Sequence, residues 1–270
     1  MQLLLKVYHR NLVSLIGYCE EHQMLALVYE YMENGNLRKL LSDETSYVLN
    51  WMERLQIALD AARGLEYLHN GCKPPIIHRD LKPSNILLSE HLIGKISDFG
   101  LSRVFANETD THVTTKPAGT LGYVDPELNI TGNWNKKSDV YSFGIILFEL
   151  ITGQPAVIRG EDSNVHILQW VTPMIENGDI QSIVDKRLEG EFNTNSAWKV
   201  VEIAMSCVPT TSIQRPDMGQ VLTELHECVA MDMIIGRSQT LRSVSSITNS
   251  SNALQMSYVN GDTQVHPRVR

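Results

Sequence analysis

The chain has 270 residues, with 23 Lys+Arg against 31 Asp+Glu and a formal net charge of −8. That length holds one large domain or two small ones, and 43% apolar against 20% charged residues is enough for a packed core, which excludes wholesale disorder. The acidic balance argues against a nucleic-acid partner or an anionic membrane surface. No apolar run reaches the roughly 18 residues of a spanning helix, and the first ten residues lack a signal-peptide layout. Cys19, Cys72, Cys207 and Cys228 are scattered without a C-x-x-C pair, which fits reduced thiols in a cytosolic setting better than a disulfide framework or a zinc site.

In chain order, Met1 to Tyr8 has helical spacing (Leu4, Leu5, Tyr8) but no cap. Residues 12–19 and 24–31 are rich in β-branched and aromatic side chains and flank a polar stretch at 20–23, a hairpin pattern. Between Asn50 and His69, Trp51, Leu55, Ala58, Ala62, Leu65 and Leu68 recur at helical intervals. Asn50 suits an N-cap with Glu53 three residues on, and Gly71 suits a stop. Residues 138–152 are apolar on nearly every face, so that helix belongs at the centre of a core, ended by Gly153 and Pro155. Further helices are expected at about 164–176, 196–208 and 217–231. After Gly236 the composition turns to Ser, Asn, Thr and Gln, and 236–270 reads as a disordered tail. The class is α+β, a mostly helical body with a small β-rich element ahead of it.

Residues 76–88 read Ile-Ile-His-Arg-Asp-Leu-Lys-Pro-Ser-Asn-Ile-Leu-Leu, and ten residues past Leu88 comes Asp98-Phe99-Gly100. The pair H-R-D-L-x-x-x-N and D-F-G resembles the catalytic and metal-binding loops of protein kinases, in the right order and with family-like spacing. Thr114-Thr115, then Gly119-Thr120-Leu121-Gly122-Tyr123, precede Asp125-Pro126-Glu127, which stands where the family has A-P-E. The stretches His9 to Cys19, Arg63 to His69 and Ser138 to Gly144 look like plant receptor-like Ser/Thr kinases, the leucine-rich-repeat type with a malectin-like ectodomain. The resemblance covers about residues 1–232.

It implies a protein-kinase-like fold: a remnant of the β-rich N-terminal lobe and hinge at 1–32, a helical C-terminal lobe at 33–235, and the tail. The implied activity is transfer of the ATP γ-phosphoryl to Ser or Thr hydroxyls of a protein substrate, with Mg²⁺ as the metal. Phosphoryl transfer asks the protein mainly for positioning and charge neutralisation. By resemblance, Asp80 accepts the proton of the substrate hydroxyl, Lys82 reaches the transferring phosphate, and Asn85 and Asp98 offer hard oxygens to the cation. Glu30 and Met32 fall in the hinge that meets adenine, and Leu87 in the pocket floor. A phosphate on Thr114 or Thr115 would pair with Arg79, and Thr120 would position the acceptor. Glu127 is expected to pair with Arg215 in a buried ion pair, and Asp139 to brace the catalytic loop from beneath.

The departure is at the front. The family's Gly-rich loop, third-strand lysine and partner glutamate are not in these 270 residues, so the chain exactly as written is expected to be a poor kinase. A non-catalytic kinase-like scaffold is the alternative reading. A co-receptor kinase is an implied partner, and the implied location is the cytoplasmic side of the plasma membrane, with no membrane contact from this chain itself.

Overall fold

The computed structural model describes residues 7–21, 24–43, 45–104, 112–114, 119–160 and 163–233. Met1 to Val229 form one compact unit; of a second unit, from Ala230 on, only 230–233 are described. Residues Met1–Lys6 and the serine-rich tail lie outside the described residues, and Val7 and Tyr8 are not helical, so the uncapped helical pattern at the start does not carry into them.

The hairpin is present as β1 (Leu15–Glu21) and β2 (Met24–Tyr29), antiparallel, with Cys19 opposite Ala26 and a register irregularity between Leu15 and Gly17. β1 begins three residues later than expected because Leu12 is diverted into a parallel bridge with Ile96 and is buried there. After a short helix α1 (Leu37–Leu41), capped by Asn36, α2 runs Trp51–Glu66. Asn50 and Glu53 form the expected capping box, each side chain bonded to the other's backbone N–H. The α-helical ladder gives way after Glu66 to a π turn, Tyr67–Gly71.

Short antiparallel pairs follow: β3 (Ile76–Ile77) with β6 (Arg103–Val104), β4 (Ile86–Leu88) with β5 (Gly94–Ile96), and β7 (Val113–Thr114) with β8 (Asn133–Trp134), the last just after the short helix α3 (Leu128–Thr131). None is long enough to show a period-2 pattern in sequence.

The central helix α4 (Lys136–Thr152) is buried on nearly every face, as its apolar run demands. It starts two residues before the expected Ser138, because Asn135 is the N-cap and Ser138 closes the capping box. It stops where expected: Gly153 adopts φ +68°, which costs glycine little. α7 (Thr194–Cys207) packs on α4 so closely that a Cβ on Gly144 would stand 2.7 Å from the Cys207 Cβ.

The expected helix at 164–176 is corrected at its start. Asn164–His166 is a strand, β10, paired with β9 (Val157–Arg159), and only Ile167–Glu176 is helical, α5. His166 is the reason: its Nδ1 accepts the Leu168 N–H as an N-cap, while its Nε2–H donates to the Gly122 carbonyl at 2.9 Å. The short α6 (Ile180–Ile183) precedes α7, and a last helix, α8, covers 218–233. Among the described residues no helix is long and apolar enough to cross a membrane.

Candidate active site

The loop from β3 to β4 carries His78, Arg79, Asp80, Lys82 and Asn85. Asp139, in the first turn of α4 and fully buried, sits beneath it. One Asp139 oxygen accepts the Arg79 N–H at 2.9 Å; the other accepts the His78 N–H and the His69 Nε2–H, each at 2.8 Å. Arg79 has φ +74°, a left-handed conformation that a long side chain adopts only under constraint. The two amides captured by one buried carboxylate supply that constraint.

Asp80, 8% exposed, is held at both oxygens: Oδ2 accepts Lys82 Nζ at 2.6 Å, and Oδ1 accepts the Thr120 hydroxyl at 2.7 Å. Lys82 Nζ also reaches Thr120 Oγ1 at 2.8 Å, which closes a three-membered polar ring between the loop and the segment before Tyr123. Asn85 Nδ2 donates to the Asp80 carbonyl at 2.8 Å and, at 3.4 Å, to its carboxylate.

Asn85 is tied in turn to the residue before Asp98. The Ser97 N–H and hydroxyl both donate to the Asn85 carbonyl, at 2.8 and 3.0 Å. His78 Nε2–H donates to the Ser97 carbonyl at 3.0 Å while its Nδ1 accepts the Asp80 N–H, so His78 is the neutral Nε2–H tautomer. The His78 ring also meets Phe99 edge-on at 5.6 Å. Asp98 is exposed, with φ +61°, and its carboxylate accepts the Gly100 N–H. Burial and the Asp98 charge together hold the Tyr29 phenol above its ordinary range, which puts Asp98 near the end of β2.

These residues suit a nucleotide with a divalent cation. Asn85 spends its amide nitrogen on Asp80, which leaves Oδ1, the harder atom, for a cation, and Asp98 adds an exposed carboxylate. One or two protein oxygens, with phosphates and water completing the shell, is how Mg²⁺ is commonly held. Past β2, Met32 is buried, and Leu87 in β4 is half-buried opposite Lys95 in β5. The Glu30 carboxylate is bound to the Ser14 N–H and to Lys95 Nζ at 2.6 Å, and its backbone N–H donates to the Ser14 carbonyl. The Glu30 carboxylate and backbone N–H are therefore both engaged within the protein.

The Arg79 guanidinium donates to the Leu101 carbonyl at 3.2 Å and lies 5.0 Å from the Trp134 ring centroid. Burial and the neighbouring Arg103 charge hold its pKa below the ordinary value. Thr114 is placed by its backbone only, opposite Asn133, and Thr115 lies outside the described residues.

Glu127 does not pair with Arg215. Arg215 makes a bidentate bond to Asp125, 2.6 Å at each oxygen, both side chains essentially without exposure. Glu127 instead accepts the Ser212 N–H at 2.7 Å. Asp125 accepts the Glu127 N–H as well, in a turn that aims the Asp125 carboxylate inward. Sequence reading also missed Glu149 in α4, buried and hydrogen-bonded to the Tyr123 hydroxyl; burial pushes its pKa up to about 7. The signal for it was a single acid in an otherwise apolar run, 146–151.

A family profile described as protein tyrosine and serine/threonine kinase matches residues 1–225. A receptor-like protein kinase of Arabidopsis thaliana is 53% identical over 254 residues, 93% of this chain and 28% of that protein. Two Arabidopsis thaliana proteins named probable LRR receptor-like serine/threonine-protein kinase are 54% and 52% identical over 233 residues, 86% of this chain and 27% of each. The chain thus spans just over a quarter of the length of the curated relatives it matches. A kinase domain works on ATP with a divalent metal and takes protein substrates. With the catalytic-type loop, the Asp98 loop and the Thr120 segment joined by the bonds above, the chain belongs to the protein tyrosine and serine/threonine kinase family.

Proposed function

We propose that this chain is the kinase part of a receptor-like kinase at the cytoplasmic face of the plasma membrane, the part that transfers the γ-phosphoryl of Mg-ATP to Ser or Thr hydroxyls of a protein, and that these 270 residues on their own transfer it poorly. One observation carries the reading: both oxygens of Asp80 are occupied, by Lys82 and by Thr120, so a single carboxylate is fixed where loop and acceptor segment meet. An incoming hydroxyl that displaces Thr120 from Asp80 Oδ1 would find a base already oriented, and Lys82 beside it would offset the charge gathering on the transferred group. Lysine at position 82 follows the Ser/Thr pattern. Asn85 and Asp98 would hold Mg²⁺, with Glu30, Met32 and Leu87 around the adenine. Asp139 would keep the loop in its strained form, and Asp125 with Arg215 would anchor the acceptor segment, the role first expected of Glu127.

A phosphate on Thr114 or Thr115 would dock on Arg79, whose head Trp134 already supports. A co-receptor kinase would be the partner, and a hinge near residue 32 would join the lobes.

The test compares the chain with Asp80→Asn for Mg-ATP binding by calorimetry and for label transfer to a Ser/Thr peptide. Binding should be equal, and transfer should fall by about 10²–10⁴-fold, the usual worth of a positioned base. Equal transfer would remove Asp80 from this role, and a chain that neither binds nor transfers would be a scaffold.

A further inference from the structure

A cavity of about 700 Å³ opens beside the Asp80–Lys82–Thr120 ring, between α1, the Thr120–Tyr123 segment and the C-terminal end of α4. Thr120 is shared: its hydroxyl bonds Asp80, and the same residue lines the cavity. A peptide whose acceptor hydroxyl reaches Asp80 must therefore lay its neighbouring residues in or along this space.

The charge in the cavity is opposite to that of the chain. Among the described residues that line it, the cations are Arg38, Lys39 and Arg159, all exposed, and the acids are Asp43 and Glu149. The two acids offset only part of this charge. Asp43, 95% exposed, lies 3.1 Å from Arg187 Nη1, a further cation outside the lining. Glu149 is 4% exposed, bonded to the Tyr123 hydroxyl, and burial favours its neutral form. Arg38 lies near enough to influence both members of that pair. A protein of net charge −8 thus presents a locally cationic groove next to its acceptor position.

We infer that the groove selects acceptor peptides with acidic side chains flanking the Ser or Thr, and that Arg38 and Lys39 on α1 are the residues that read them. This rests on the phosphoryl-transfer reading and adds a substrate class to it. Carboxylates in a peptide would pair with exposed cations that the groove already holds out, and basic flanks would meet like charge there.

The experiment separates binding from transfer. Fluorescently labelled Ser peptides with Asp/Glu, neutral or Lys/Arg flanks are titrated into the 270-residue chain and into the double variant Arg38→Gln, Lys39→Gln, with anisotropy as readout and no nucleotide present. Both side chains are exposed, and a circular-dichroism melt confirms that the variant is folded. The acidic peptide should bind about three- to tenfold tighter than the neutral one, the yield of one or two screened ion pairs. The basic peptide should bind weakest, and the ranking should flatten in the variant and in high salt. Equal binding of all three, a preference for the basic peptide, or a ranking untouched by the double variant overturns the inference. Because no nucleotide is used, the result stands whether or not the chain transfers phosphate; the same peptides in the transfer assay then report on the reading beneath it.

Discussion

Replacing Asp125 by Ala leaves the Arg215 guanidinium buried without its counter-charge. Arg215 also donates to the Pro209, Thr210 and Lys137 carbonyls and lies 5.1 Å from the Tyr141 ring, so it cannot swing to water without breaking that shell. Removing one partner of such a pair costs about 3–5 kcal/mol. With a urea slope of about 3 kcal/mol/M for a domain this size, the midpoint should fall by about 1–1.7 M. Glu127→Ala loses one charge-assisted bond, to the Ser212 N–H, worth about 1.5–3 kcal/mol. Because those ranges touch, the decisive measurement is a double-mutant cycle with Arg215→Met. Coupling between positions 125 and 215 should exceed about 2 kcal/mol, and coupling between 127 and 215 should stay within about 0.5 kcal/mol. The reverse order would refute the pairing and restore Glu127 as the partner of Arg215.

Two further outcomes follow from the other buried carboxylates. In Asp139→Asn an NH₂ must face one of three converging donors, the His78 and Arg79 amides and His69 Nε2; stability should fall by about 2–4 kcal/mol. Hydrogen exchange at the Arg79 amide should speed up well ahead of that at the centre of α4, and uniform acceleration would show that Asp139 does not hold the loop locally. Glu149 is surrounded by the Tyr123 hydroxyl, Arg38 and the Ala156 backbone, and burial lifts its pKa from 4.5 to about 7. The folded state therefore binds its proton more tightly than the unfolded state, and stability is lost as pH rises from 4.5 through about 7. At about 1.36 kcal/mol per pH unit that gap is worth about 3 kcal/mol. Glu149→Gln keeps a partner for Tyr123 without titrating, so urea unfolding should show the variant gaining about 3 kcal/mol on the parent between pH 4.5 and 8; parallel pH curves would refute the shift.

What could be read from the chain was what short-range chemistry decides. Asn50 with Glu53, and Gly153 after an apolar run, mark helix ends because capping is settled within four residues. The chemical groups of the site were legible for a related reason: Asp80, Lys82 and Asn85 sit on one loop with fixed spacing, and bonds inside that loop do part of the positioning. Apart from the start of α4, the misreadings involve partners far apart in sequence. Leu12 leaves the hairpin for Ile96, His166 interrupts a helical pattern to reach Gly122, and Arg215 chooses Asp125 over Glu127. Asp125 and Glu127 are two residues apart, so a pattern of charges cannot tell which carboxylate the turn sends inward. Only the Asp125–Glu127 N–H bond and the Ser212 amide decide it.

The same physics explains why one apolar helix organises a polar site. Asp139, Ser142 and Glu149 stand on α4 at offsets of three and ten residues, which at 3.6 residues per turn leaves them on one side of the helix. Asp139 takes the His78 and Arg79 amides, Ser142 donates to the Tyr123 carbonyl at 2.7 Å, and Glu149 takes the Tyr123 hydroxyl. Ten residues at about 1.5 Å each carry this stripe about 15 Å, from beneath the loop that holds Asp80 to the wall of the cationic groove. The remaining faces of α4 are packed in the core, against α7 at Gly144 and against Arg54, which donates to the Leu150 carbonyl. A shift of that helix would therefore move the loop and the groove together, and rigidity bought by apolar packing becomes registration between Asp80 and the peptide beside it.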